Sequence, residues 1–221
     1  MREAMLEEIA QDFLETADYT GLRAMSPAVR DAMGTVPREA FVRDDDSARA
    51  YVNRPLSIGH GQTISQPFIV ALMTELLGVS AGARVLEVGT GSGYQAAVLA
   101  ALGAEVCSIE IIPALAAAAS ERLAKLGYAV DVRAGDGHLG WPERAPFDAI
   151  IVTAGGAVPP ALLAQLKPGG RLVIPIGVAP GEQQLTLITR GRDDTLTRVA
   201  KLPVRFVPLT GDTAGGAPRH H

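Results

Sequence analysis

The sequence predicts an α/β fold: a doubly wound, mostly parallel seven-stranded sheet with an antiparallel hairpin at one edge and helices added at the N-terminus. Three observations predict it. From Arg84 onward, short apolar stretches rich in β-branched residues alternate with helix-favouring segments, the order of a parallel sheet covered by helices on both faces. Three alternating glycines, Gly89, Gly91 and Gly93, follow the first of those strands directly and lead into an Ala-rich helix. The last two strand-like stretches have no helix between them, which makes them antiparallel neighbours.

Each element follows from local pattern. Between Met1 and Thr16, residues Leu6, Ile9, Ala10, Phe13 and Leu14 share one helical stripe, with Glu7, Glu8, Gln11 and Asp12 elsewhere. Ser26-Pro27 reads as an N-cap followed by proline at the first helical position, opening a helix to about Met33 that Val36-Pro37 ends. Asp44 to Gln66 lacks sustained periodicity and is expected to be a long irregular segment, more often functional than idle in a compact domain. Pro67 starts a helix to about Leu77. Strands are expected at 84–88, 105–109, 129–133, 147–152, 170–175, 184–190 and 198–207, and helices at 93–102, 113–126 and 158–166. Pro113 opens one of these helices and Gly127 closes it; Pro168-Gly169-Gly170 is expected to be a turn before the next strand.

The 221 residues, 48% hydrophobic, suit one domain of ordinary size. Its expected parts are N-terminal helices and a substrate-side segment (1–66), a cofactor-binding α/β core (67–210) and a flexible, Pro/Gly-rich tail (211–221). A net charge of −4 without a basic block disfavours nucleic acid as a partner. The single cysteine, Cys107, sits in an expected buried strand, excludes an intrachain disulfide and suits a reducing compartment. The acidic N-terminus lacks signal-peptide order, and no apolar stretch reaches membrane-spanning length. A cytoplasmic protein, monomeric and off the membrane, is expected. No metal site is expected either, the terminal His220-His221 pair being too short and exposed to argue one.

The candidate chemistry gathers where parallel strands end, the place where open α/β sheets bind ligands. Gly89 to Gly93 lets a ligand approach the backbone closely, and Glu110, about 20 residues on, stands where a nucleotide ribose needs a carboxylate acceptor. The spacing GxGxG is one residue shorter than the dinucleotide pattern, which tilts the reading from NAD to S-adenosylmethionine, a cofactor without a pyrophosphate. Asp136, between Gly135 and Gly137, reads either as a turn residue or as a contact to a base stacked on the backbone. Gln62, Thr63, Ser65 and Gln66 cluster before a proline-started helix. That cluster reads equally as a helix cap (Ser65 or Gln66) with a turn, or as a carboxylate site of hydroxyls and helix-terminal amides.

A resemblance decides between these. Residues from about Val36 to Leu209 resemble a protein-L-isoaspartate (D-aspartate) O-methyltransferase. The matching segments are Val36-Pro37-Arg38 with Phe41-Val42, Pro55 to Pro67 with its Thr-Ile-Ser-Gln-Pro run, Leu86 to Tyr94, Gly135-Asp136-Gly137, Pro146 to Ala154 and Arg205 to Thr210. The resemblance implies a Rossmann-like S-adenosylmethionine-dependent fold and methyl esterification of the free α-carboxyl of L-isoaspartyl (and D-aspartyl) residues in damaged proteins and peptides. Methyl transfer would leave S-adenosylhomocysteine; succinimide closure with loss of methanol, then hydrolysis, would regenerate aspartate. It puts the catalytic role on Ser65 and substrate contacts on Thr63, Ile64, Ser65 and Gln66. It puts cofactor contacts on Ile58, Gly59, His60, Gly61, Glu87, Gly89, Thr90, Gly91, Ser92, Gly93, Glu110, Asp136, Gly137 and Thr210. The chain departs from the pattern at Ile111-Ile112-Pro113, which lacks the basic residue often found beside the acid, and in the tail after Thr210. Alternative readings are a dedicated aspartate O-methyltransferase for one partner peptide, and a non-catalytic S-adenosylmethionine-binding module.

Overall fold

The computed structural model describes residues 1–177 and 182–211; the His220-His221 pair and all of the expected tail except Gly211 lie outside them. Three helices come first: α1 (Arg2–Glu15), α2 (Ala17–Thr20) and α3 (Pro27–Thr35). The α1 stripe buries Met5, Leu6, Ile9 and Phe13, while Leu14 is half exposed, so the buried face is turned by one residue from the expected one. Ser26 caps α3 as expected, its hydroxyl accepting from Val29 N–H at 3.3 Å.

The segment expected to be irregular contains regular structure. It holds a 3₁₀ turn (Asp44–Arg49) and a hairpin of β1 (Leu56–Gly59) and β2 (Gln62–Ile64), paired in a small sheet of its own. Its two turn residues, His60 (φ 53°) and Gly61 (φ 70°), are both left-handed, as a type I′ turn requires. Strands of three and four residues are too short for alternation to register, and only the turn chemistry of Gly59-His60-Gly61 signalled them.

Then follow α4 (Pro67–Leu77), β3 (Arg84–Val88), α5 (Tyr94–Ala101), β4 (Glu105–Glu110), α6 (Pro113–Lys125) and β5 (Val130–Ala134). The chain ends in β6 (Phe147–Val152), α7 (Pro160–Gln165), β7 (Leu166–Ile176), β8 (Gln183–Arg190) and β9 (Leu196–Val204). The main sheet has the order β5-β4-β3-β6-β7-β8-β9, with β5 to β7 parallel and β8 and β9 antiparallel at one edge. Pro168-Gly169-Gly170 is not a turn before the strand: β7 begins at Leu166, opposite Phe147, and the three residues lie within it at a register irregularity. A side chain at Gly170 would meet the backbone of Asp148 and Lys167, so the glycine admits this close approach.

The sheet separates two apolar layers. Val85 and Val106 face the layer built on α1, α3, α4 and α5, where Phe13 and Phe68 meet edge to face with centroids 5.5 Å apart. Leu86, Val88, Cys107 and Ile109 face the other layer, with Leu162 of α7. Cys107 is buried as expected. Among the described residues no helix is long and apolar enough to cross a membrane.

Candidate active site

Strand order reverses between β3 and β6: the chain runs outward through β4 and β5, then returns to the other side of β3. Loops leaving β3 and β6 therefore diverge, and a crevice opens at their carboxyl ends. Its floor is fixed by backbone bonds. Gly89 N–H donates to the Ile109 carbonyl at 2.8 Å, and Thr153 N–H donates to the Val88 carbonyl at 2.9 Å. Thr153 Oγ1 donates to the Gly89 carbonyl at 2.6 Å. A Cβ on Gly89 (φ +97°) would overlap that same hydroxyl oxygen, so the glycine is dictated by space as well as conformation.

Glu110 ends β4 and is buried. Its carboxylate accepts from Gly91 N–H at 2.8 Å and from Ile112 N–H at 3.1 Å, so it shapes the glycine turn and also lines the crevice. Gly89, Gly91, Gly137 and Thr210 line the crevice with it. The segment carrying Thr210 is strapped across the opening: Gly155 N–H donates to the Val207 carbonyl and Leu209 N–H to the Gly155 carbonyl, both at 2.8 Å.

Other cofactor candidates stand elsewhere. Gly59, His60 and Gly61 form the hairpin tip, and Ile58 points so that a Cβ on Gly91 would meet its Cδ1 at 3.4 Å. Gly93 packs under α6, against Leu123 and Ala119. Asp136 caps the short helical turn Gly137–Leu139, its Oδ1 accepting from His138 N–H at 2.8 Å and lying 2.8 Å from His138 Nδ1.

Glu87 lies beneath the crevice, fully buried on the β3 face shared with Ser108. Ser108 donates to Glu87 Oε2 and is joined to Thr90 Oγ1 at 2.6 Å, while Glu87 Oε1 has no partner among the described residues. Burial pushes this carboxyl up to about 8 against the Ser108 bond, with the Glu110 charge adding to the rise. At neutral pH the raised value favours the protonated acid, which accepts from the Ser108 hydroxyl beneath the turn.

A second cavity of about 400 Å³ adjoins the first. It is lined by Thr63, Ser65 and Gln66, by Phe68 and Ile69 of α4, and by residues 202–207. Thr63 and Thr153 line both cavities, and Ile64, Ser65, Thr90 and Ser92 line a narrow space between them. The helix-cap reading holds for position only. Gln66 occupies the N-cap position of α4 without a side-chain bond, and Phe68 N–H is taken by Asn53 Oδ1 at 3.0 Å. Asn53 also donates to Asp12 Oδ2 at 2.7 Å, where burial pushes the Asp12 carboxyl up. Asp12 and Arg205 are the ionisable side chains lining this cavity.

The model of one protein family, protein-L-isoaspartate(D-aspartate) O-methyltransferase, matches residues 10–214. The chain belongs to this family. The protein-L-isoaspartate O-methyltransferase 2 of Polaromonas is 57% identical over 94% of this chain and 99% of its own. The protein-L-isoaspartate O-methyltransferase of Methylorubrum extorquens is 60% identical, covering 82% and 80% of the two chains. Among solved structures, a protein-L-isoaspartate O-methyltransferase superposes with a TM-score of 0.83 at 32% identity, covering 96% of this chain and 67% of that one. A Plasmodium falciparum chain solved with S-adenosyl-L-homocysteine shares the fold at a TM-score of 0.76, with 24% identity over 93% of this chain and 98% of that one. The protein is a carboxyl methyltransferase that esterifies isoaspartyl residues with S-adenosylmethionine as methyl donor, the first step of their repair.

Sequence reasoning gave no role to Thr153, which joins the two cavities, or to Val207, Asp12 and Asn53. Thr153 carried a usable signal, standing directly after the apolar run Phe147–Val152 at the end of a parallel strand. The other three are brought in by long-range packing alone.

Proposed function

We propose that the crevice over β3 and β6 holds the donor and that the adjoining cavity holds the isoaspartyl acceptor, with Ser65 positioning its α-carboxylate. The adjacency of the two cavities, which share Thr63 and Thr153, carries this reading. The crevice suits an adenosyl group with no pyrophosphate: its lining offers glycine backbone and the Glu110 carboxylate, and no cationic side chain among the described residues. Gly89, Gly91, Glu110, Gly137 and Thr210 would hold it, Glu110 accepting from the ribose diol. S-adenosylmethionine, when bound, supplies an electrophilic methyl on a sulfonium sulfur.

The residues on the acceptor side need only bind and orient. A free α-carboxyl has an ordinary pKa near 3.5 and is ionised at neutral pH, so no general base is required. Ser65, Thr63 and Gln66 offer hydroxyl and amide groups with which to orient it, and Phe68 and Ile69 exclude water. Rate enhancement then comes chiefly from alignment and proximity. Strong donation to the nucleophilic oxygen would blunt it, so Ser65 acts as a positioner. The same reading has one domain acting as a monomer in the cytoplasm on isoaspartyl proteins; the one cysteine, buried, suits a reducing compartment.

Radiolabelled methyl transfer to an isoaspartyl peptide and its aspartyl twin, by wild type and Ser65→Ala, tests the assignment. Only the isoaspartyl peptide is expected to be labelled. Ser65→Ala is expected to lose turnover by about 100-fold or more while S-adenosylhomocysteine affinity stays within about threefold. Unchanged turnover removes Ser65 from the site, and labelling of the aspartyl twin redirects the reading to a dedicated aspartate methyltransferase.

A further inference from the structure

Arg38 is fully buried, yet no carboxylate pairs with it among the described residues. It opens the 3₁₀ turn Arg38–Phe41 and reaches inward. Nε donates to the Ala50 carbonyl at 2.8 Å, and Nη2 donates to the Ser65 carbonyl at 2.7 Å. Nη1 has no hydrogen bond among the described residues, and the guanidinium carbon lies 4.7 Å from the centroid of the Tyr94 ring.

This arrangement is costly for the fold alone. A cation taken out of water without a counter-ion loses solvation that the two carbonyls and the Tyr94 face return only in part. What the guanidinium supplies is a planar fork that holds two carbonyls while its face lies on an aromatic ring, which neither an apolar side chain nor lysine can do. The groups it joins belong to opposite sides of the site. Ser65 lines the acceptor cavity. Tyr94 is the first residue of α5, directly after Gly93, and is therefore fixed to the donor-side turn. Ser65 and Tyr94 line the same narrow space between the cavities. The Ala50 bond fixes the guanidinium in place, so the distance between those two walls is set by one rigid group.

We propose that Arg38 is a positioning residue for methyl transfer, bracing the acceptor loop at Ser65 against the first residue of the donor-side helix and thereby setting the alignment of acceptor and donor. It touches neither reactant. This rests on the assignment of Ser65 to the acceptor side.

The test compares Arg38→Lys and Arg38→Met with wild type. Turnover is expressed per S-adenosylhomocysteine-binding site, with KM for the isoaspartyl peptide and the donor and with urea unfolding. In both variants kcat is expected to fall by about 30- to 100-fold, the cost of a misplacement of about an ångström, with both KM values within about threefold. Arg38→Met leaves the Ala50 and Ser65 carbonyls without their donor and is expected to unfold at a lower urea concentration than wild type, so kcat is read on donor-binding protein in the absence of urea, where a purely structural role would leave it unchanged. Turnover per binding site within about threefold of wild type in Arg38→Met overturns the proposal. Loss of S-adenosylhomocysteine binding in both variants also ends it, assigning Arg38 to folding. Failure of the Ser65 assignment is separately visible, as a Ser65→Ala protein that still turns over.

Discussion

Replacing Glu87 with glutamine tests the charge state of the acid under the glycine turn. Burial raises the Glu87 carboxyl from 4.5 to about 8 in the folded protein, while in the unfolded chain it returns to its ordinary value. Below pH 4.5 both states are protonated and the group has no differential effect. Between 4.5 and 8 the unfolded chain ionises while the folded one does not, so stability falls as pH rises, by about 1.4 kcal/mol per unit. Above 8 the loss levels off. At pH 7.5 the three units above 4.5 amount to about 4 kcal/mol, undiminished by solvent because the side chain is fully buried. Glutamine keeps the acceptor for Ser108 and has no charge to lose. Urea unfolding of both proteins from about pH 5 to about pH 9 isolates the effect, since every other titration cancels in the difference. The variant is expected to gain on wild type steadily with pH and then plateau. A constant offset would report only the unmatched amide of the variant. A difference flat across this range refutes the raised pKa and the neutral acid inferred from it.

Glu110→Ala removes the acceptor for Gly91 and Ile112 and the proposed ribose contact together, so S-adenosylhomocysteine binding is expected to weaken by about 1.5–3 kcal/mol in calorimetric titration. Equal affinity would take Glu110 out of the donor site. Gly89→Ala must place a Cβ on Thr153 Oγ1 at a left-handed φ, whereas Gly127→Ala meets a left-handed φ in open space. The first is expected to lose clearly more than the ~1–2 kcal/mol of the left-handed conformation alone, and the second about that much, in urea unfolding. Equal losses would mean that the Gly89–Thr153 contact relaxes freely.

The fold was legible because its signals are local and repeated. The seven strands of the main sheet follow from short apolar runs, most of those in its parallel part separated by helices, and the antiparallel pairing of β8 with β9 follows from the missing helix between them. Proline at the start of α3, α4 and α6 and glycine after α4 and α6 mark helix ends through backbone preference alone. The glycine turn and Glu110 were legible for the same reason, since a close backbone approach and a strand-end acid each leave a trace at fixed spacing. Boundaries moved where tertiary packing overrode that trace. β7 runs through Pro168-Gly169-Gly170 because the neighbouring strand pairs with Leu166 before the irregularity. The hairpin of β1 and β2 escaped notice because its strands are shorter than the period needed to see them.

The sequence by itself determined the class of sheet, the order of its elements and the glycine turn with its acid, because each is written by residues close together in the chain. Only the tertiary structure decided that Asn53, rather than the side chain of Ser65 or Gln66, accepts the first free N–H of α4; that Thr153 joins the two cavities; and that Arg38 spans Ser65 and Tyr94. Those relations cross 15 to 64 residues of chain, and which partner satisfies a buried donor or carbonyl depends on packing that no local pattern encodes.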